Sequence, residues 1–286
     1  MEVTLPKEKL GLVLKVGLYV FLAIVGLMVF PLALQVGGVL IAAAMGTFAA
    51  AAVANAVSLR IFERGRLADI GMNWHPGAAR NLALGAAGGI GAACLVVGVP
   101  LLTGMARLEK SPDQPANFGS FAFVTFILLF GAVGEEMLFR GYGFQVLLRG
   151  LGRFATILPV SVLFGLAHLN NQNVSTLGIV NTIGFAVVLG YAFIRSGDLW
   201  LPIGIHFAWN WTLPLFGENL SGFTMGMTGV TIHWYVADIW SGGRYGPEAS
   251  LQTCLVIVAL LVYLVKAPVQ CQEPVLAQIP PGDAVR

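Results

Sequence analysis

Charged side chains are scarce in this sequence: aspartate, glutamate, lysine and arginine together make up 10% of the 286 residues, whereas hydrophobic residues make up 57%. A water-soluble domain usually carries about 25% charged residues, so this chain has too little polar surface to cover a soluble body. The scarcity predicts an integral membrane protein. The 36 glycines fit that class, because small residues let membrane helices approach one another closely.

Cysteines and basic clusters are equally scarce. Cys94, Cys254 and Cys271 lie far apart in the chain, without the CxxC spacing of many metal and redox sites. The net charge of +2 gives no indication about nucleic acid, and no patch rich in lysine or arginine alternates with aromatic residues. We therefore expect no nucleic acid partner.

Hydrophobic runs long enough to cross a bilayer, which takes about 20 residues, recur along the chain. They predict an all-α, polytopic transmembrane helical bundle of about eight spans. The predicted spans cover residues 10–34, 36–59, 81–105, 121–148, 154–169, 177–194, 199–216 and 251–266. Residues 217–250 form the longest non-spanning segment, and their tryptophans and tyrosines favour an interfacial or re-entrant element.

The loops between these spans differ in basic charge. Most lysines and arginines fall on one side of the predicted bundle, for example Arg60, Arg64, Arg66 and Arg80 between the second and third spans. Basic residues favour the cytoplasmic side of a membrane. We therefore expect both termini to lie in the cytoplasm. The expected location of the protein is the inner membrane of a bacterium.

Ionisable side chains interrupt the apolar runs, although a charged group at the centre of a membrane helix costs about 2.5 to 3.5 kcal/mol. Glu136 and Arg140 are four residues apart in the fourth predicted span and therefore share a helix face. Glu135 points about 100° away from that face. This spacing predicts that the arginine neutralises one carboxylate and leaves the other free; a structural Glu–Arg pair between helices would show the same pattern.

Polar side chains also occur in the fifth and seventh predicted spans. His168 ends an apolar segment, where a lone histidine commonly serves packing. His206 and Asn210 lie one helical turn apart, so both can donate hydrogen bonds to the same point. This pair suits an oxyanion hole, and a polar clamp between helices is the structural alternative.

Together these groups supply a carboxylate base, an imidazole that can share a water molecule, and two oxyanion donors. Hydrolysis of an acyl bond is the reaction that such a set can perform. A transporter or proton relay could use the same carboxylates and imidazoles as a proton wire. The sequence shows neither repeated broken helices nor a second acidic cluster to support that alternative.

The ordered motifs resemble the CPBP intramembrane peptidases, the CAAX and bacteriocin-processing family also called Abi, which includes the Ras-converting CAAX endopeptidase. The resemblance is carried by Glu-Glu-x-x-x-Arg from Glu135, Phe-x-x-x-His from Phe164 and His-x-x-x-Asn from His206. By this resemblance, Glu135 and His168 would activate the attacking water. His206 and Asn210 would form the oxyanion hole.

The resemblance also implies an organisation of the chain. Residues 1–117 would hold N-terminal transmembrane helices with a cytoplasmic loop, residues 118–216 the catalytic core of four helices, and residues 217–286 the interfacial loop, last span and tail. Glu136 and Arg140 would support and orient the site.

The cofactor and partners follow from the same resemblance, which implies a CAAX-type endopeptidase of the glutamate type, without a cofactor. Zinc is the alternative, because Glu135, His168 and His206 could hold a zinc ion with one position open, although no HExxH motif is present. The expected partners are a peptide or protein substrate and the lipid bilayer, and the sequence fixes no oligomeric state. An inactive bacteriocin-immunity scaffold would keep the same motifs.

Overall fold

The computed structural model describes residues 7–113, 115–273 and 276 of the chain. These residues are mostly helical. The α-helices are α1 (Lys7–Leu34), α2 (Val39–Phe62), α3 (Ala78–Thr103), α4 (Phe118–Arg140), α5 (Tyr142–Leu151), α6 (Arg153–Ala167), α7 (Thr176–Ser196), α8 (Trp200–Leu215), α9 (Asp238–Ser241) and α10 (Leu251–Lys266). Two strands, β1 (Ala106–Lys110) and β2 (Val230–Trp234), form an antiparallel sheet.

The length and composition of these helices define a membrane protein. Among the described residues, five helical segments are long and apolar enough to cross a membrane, and α6 and α10 are shorter apolar helices. The seventh predicted span corresponds to α8, which has only 16 residues and is not one of these five segments. The chain is therefore an integral membrane protein, while the prediction of about eight full spans is confirmed only in part.

The fourth predicted span, residues 121–148, lies within a segment that is long and apolar enough to cross a membrane. That segment is interrupted, because α4 ends at Arg140 and α5 begins after Gly141. Asn55 of α2 explains the break. Its side-chain amide donates to the carbonyl oxygen of Met137 at 2.9 Å, and its side-chain oxygen accepts from the backbone amide of Tyr142 at 2.6 Å. The Met137 carbonyl also accepts from the backbone amide of Gly141, so the group that the interruption would otherwise leave unpaired is the Tyr142 amide, which Asn55 satisfies.

The small sheet is the second departure from the all-α prediction. β1 comes from the loop after α3 and β2 from the long segment after α8, with Ala106 opposite Trp234 and Lys110 opposite Val230. Each strand has five residues. Such short strands, paired across much of the chain, leave little local pattern for a sequence to reveal.

Helices α3 and α8 pack closely against each other, because glycines lie at their contact. A β-carbon at Gly85 would meet the carbonyl oxygen of Leu201, and one at Gly89 would meet that of Ile205. Gly204 faces the backbone of α3 in the same way. Because the two backbones touch, α3 is a rigid support for α8, which carries two of the expected catalytic residues.

Basic residues cluster at one end of the bundle. Lys15 near the start of α1 and Arg149 near the end of α5 both face Glu63 after α2, at 2.7 and 3.7 Å. Burial alone would raise the pKa of Glu63, but Lys15 and Arg149 hold it below its ordinary value. Arg195 at the end of α7 donates to the carbonyl oxygen of Leu264 near the end of α10. We call this end of the bundle the basic face. The prediction that both termini are cytoplasmic concerns residues outside those that the structure describes.

Replacing Gly89 with valine should separate α3 from α8 and lower the free energy of unfolding by about 1–3 kcal/mol or more, because the added side chain meets backbone atoms. Gly91→Val is the matched control on the same helix, since a β-carbon at Gly91 meets nothing within 4 Å. Thermal unfolding of both purified variants measures the difference. An equal loss in the two variants would contradict the glycine contact.

Candidate active site

Two charged side chains at the end of α4 form a buried ion pair. Arg140 Nη1 donates to Glu136 Oε1 at 3.2 Å, and the two side chains are 1% and 0% exposed. This is the pair that their four-residue spacing predicts. Arg140 Nη2 also donates to the carbonyl oxygen of Ala186 at 2.9 Å, so the guanidinium links α4 to α7.

The imidazole of His206 completes this buried group from α8. Its Nδ1 atom lies 2.8 Å from Glu136 Oε1, the same oxygen that accepts from Arg140. An ionised carboxylate can only accept hydrogen bonds, so the Nδ1 atom of His206 carries a proton. Glu136 therefore fixes the ring orientation of His206 and leaves the Nε2 atom pointing away from the pair.

Glu135 faces a different direction from its neighbour. Its side chain keeps 29% of its surface exposed, and its Oε2 atom lies 3.7 Å from Nε2 of His206. That distance is too long for a hydrogen bond, and Oε2 is a buried atom with no hydrogen-bond partner among the described residues. The adjacent carboxylates thus differ in their surroundings: Glu136 is fully buried and accepts from Arg140, whereas the Glu135 side chain is partly exposed.

His168 follows the last turn of α6. Its Nδ1 atom lies 2.7 Å from the carbonyl oxygen of Phe164, which can only accept, so Nδ1 carries the proton. In the neutral ring, Nε2 then has a free lone pair. The Phe164 ring lies between the two imidazoles, with centroids 4.8 Å from His168 and 6.1 Å from His206, and the Arg140 guanidinium lies over it at 5.0 Å.

A cavity of about 420 Å³ brings the expected residues together. Glu135 from α4, His168 after α6, and His206 and Asn210 from α8 all line it. Glu136 and Arg140 lie behind the wall, where their contacts hold the His206 ring. The structure therefore places all six residues in one region, with the four expected catalytic groups open to a shared space.

A comparison with protein-family models covers this region. Residues 117–212 match the model described as type II CAAX prenyl endopeptidase Rce1-like. The chain carries an Rce1-like domain. A search of the curated proteins gives no match. The model that this domain matches is described as an endopeptidase. The division of the chain into three parts stays a prediction.

The cavity of the Rce1-like domain also receives residues from beyond its matched range. Leu220, Ser221, Phe223 and Glu248, all from the segment after α8, line it. Burial raises the pKa of Glu248, and hydrogen bonds from Ser221 and Trp209 partly oppose that rise. Sequence reasoning missed Glu248 because it lies in an irregular segment with no motif; a lone glutamate near aromatic residues was its only signal.

A zinc centre would require three protein side chains that converge on the same metal position. Among the described residues, no group of three or more histidine, cysteine, aspartate or glutamate side chains is arranged to hold a metal ion. Oε2 of Glu135 and Nε2 of His206 lie 3.7 Å apart, and His168 does not complete a three-ligand group with them. The arrangement does not fit a zinc centre built on Glu135, His168 and His206.

Replacing Arg140 with methionine should lower the free energy of unfolding by about 3–5 kcal/mol, because it leaves the Glu136 carboxylate buried without its cation. Arg149→Met is the control: it breaks a partly exposed pair with Glu63, worth at most about 1 kcal/mol. Thermal unfolding in lipid nanodiscs, followed by tryptophan fluorescence, compares the two. A smaller loss at Arg140 than at Arg149 would argue against a stabilising role for the buried pair.

Proposed function

We propose that this protein is an intramembrane endopeptidase that hydrolyses a peptide bond near the membrane interface with water activated by Glu135 and His168. The observation that carries the proposal is the shared cavity of Glu135, His168, His206 and Asn210. In this proposal Glu135 and His168 provide the hydrogen-bond acceptors that peptide hydrolysis needs, and His206 and Asn210 provide the donors. The match to a family described as endopeptidases supports the same reaction.

The attacking water is held by two acceptors. The Glu135 side chain is 29% exposed and lines the cavity, and Nε2 of His168 is the ring nitrogen that the Phe164 carbonyl leaves free. In this proposal a water molecule donates one hydrogen bond to the Glu135 carboxylate and one to Nε2 of His168. Glu135 takes a proton as the water oxygen attacks the carbonyl carbon, and later returns it to the leaving amine. His168 holds the water in position.

Two hydrogen-bond donors of α8 stabilise the developing oxyanion in this proposal. Asn210 offers its side-chain amide, and His206 offers Nε2–H when its ring is the imidazolium, since Nδ1 already carries a proton directed at Glu136. Glu136 stabilises that imidazolium. Each such donor typically contributes about 2.7–4 kcal/mol to lowering the barrier. The proposed division therefore makes Glu136 a residue that acts through His206.

Replacing Glu135 with glutamine should lower kcat by at least about 100-fold, because the amide cannot accept the water proton. Glu109→Gln, at an exposed position of β1, is the charge-matched control and should leave cleavage unchanged. Proteomic comparison of membranes carrying each variant identifies the precursors that accumulate uncleaved. Unchanged cleavage by the Glu135 variant would falsify the assignment, and stoichiometric zinc in the same preparation would overturn the metal-free step.

We also propose an orientation for the cavity. Its rim includes Asn171, Leu220, Ser221 and Glu248, which lie in the segments opposite the basic face. None of the basic-face residues named above lines it. Basic residues favour the cytoplasmic side. The cavity then opens away from the cytoplasm, and the substrate approaches from the outer leaflet or the outer aqueous phase.

Cysteine labelling tests this orientation in intact cells. In a background without the native cysteines, Thr224→Cys lies beside the cavity rim, and Asn73→Cys lies before α3 at the basic face; both positions are exposed. A membrane-impermeant thiol reagent should label the first variant in whole cells and the second only after lysis. The opposite pattern would place the cavity on the cytoplasmic side.

A further inference from the structure

A second carboxylate reaches the catalytic cavity from outside the matched domain. Glu248 lies in a single 3-10 turn, Pro247–Ala249, and lines the cavity together with Glu135 and His168. Oε1 accepts from Nε1 of Trp209 at 3.3 Å. Oε2 accepts from the hydroxyl of Ser221 at 2.9 Å and from its backbone amide. These donors fix the carboxylate in the cavity wall.

Glu248 is largely buried, but part of its surface is accessible from the cavity. Burial raises its pKa, and the hydrogen bonds from Ser221 and Trp209 oppose that effect only in part. Its surface is nevertheless partly exposed, because the cavity opens onto it. Oε1 accepts one long hydrogen bond and retains acceptor capacity. A carboxylate in this environment gains most from a cation that enters through the cavity.

The cavity lining holds no permanently charged cation. Among the described residues that line it there is neither lysine nor arginine, whereas two are glutamates and two are histidines. Much of the remaining lining is apolar and includes Leu27, Val39, Leu40, Ile127 and Leu128 from α1, α2 and α4. The cavity therefore offers a substrate both apolar surface and the carboxylate of Glu248.

We propose that Glu248 is a specificity-determining residue, which selects peptides presenting a lysine or arginine side chain on one side of the scissile bond and an apolar segment on the other. The inference rests on the proposed endopeptidase function. A substrate cation forms an ion pair with Glu248 in a poorly solvated wall, where such a pair is stronger than in water. A free C-terminal carboxylate in the same place is repelled.

Quenched-fluorescent dodecapeptides test this selection with the full chain in lipid nanodiscs. One half of each peptide is apolar and constant, both ends are blocked, and a single lysine, methionine or glutamate is moved through the other half. At one or more positions, the lysine peptide should show about tenfold higher kcat/KM than the methionine peptide, which corresponds to about 1.4 kcal/mol. The glutamate peptide should be cleaved more slowly than either.

Two variants separate charge selection from a structural role. Glu248→Gln should reduce the lysine-to-methionine ratio of kcat/KM to about one. Glu218→Gln should keep the wild-type ratio, because Glu218 is a buried glutamate of the same segment that instead accepts from Trp234 and does not line the cavity. A ratio that Glu248→Gln leaves intact, with both peptides slowed equally, would show that Glu248 only holds the Ser221 turn.

The outcomes also distinguish this inference from the proposed function. If the wild type cleaves the methionine peptide and Glu135→Gln does not, endopeptidase activity stands whatever the preference for charge. Lysine, methionine and glutamate peptides cleaved within twofold of one another at every position would overturn the selection by Glu248 alone. If the wild type cleaves none of the peptides, the proposed function is contradicted and the selection with it.

Discussion

The buried carboxylate of Glu136 is the interaction on which the site depends. One of its oxygens accepts from Arg140 on its own helix and lies 2.8 Å from the imidazole of His206 on α8. Arg140 extends the same group to the backbone of α7. Removing a charged pair from water is costly, and only well-placed partners offset the cost. These contacts hold α4, α7 and α8 together, and α4 and α8 place Glu135, His206 and Asn210 at one cavity.

Much of this arrangement could be predicted because the membrane restricts what a polar residue can do. In an apolar span, Glu136 and Arg140 need partners, and a spacing of four residues supplies one directly. The same reasoning identified His206 and Asn210 as neighbours on α8. Glu135, His168, His206 and Asn210 all line one cavity. Their catalytic roles remain predictions.

The features that sequence reasoning missed depend on contacts between distant segments. The break at Gly141 is satisfied by Asn55, a polar residue of a helix that shows no local sign of this role. The β1–β2 sheet pairs two loops, and Glu248 enters the cavity through its bonds to Ser221 and Trp209. Helical periodicity describes the contacts within one segment, so it predicts the spans better than the connections that close the cavity.

The two adjacent glutamates show how one helix can produce two different carboxylates. Residues next to each other on a helix point about 100° apart, so Glu136 turns into the packed interior while Glu135 turns into the cavity. An arginine suits the first position better than a lysine would, because its planar group serves three contacts at once: Glu136, the Ala186 carbonyl and the face of Phe164. Phe164 also lies against both imidazoles. Local charge compensation at Glu136 leaves Glu135 as the carboxylate that faces the cavity, which is the position that the proposed function requires.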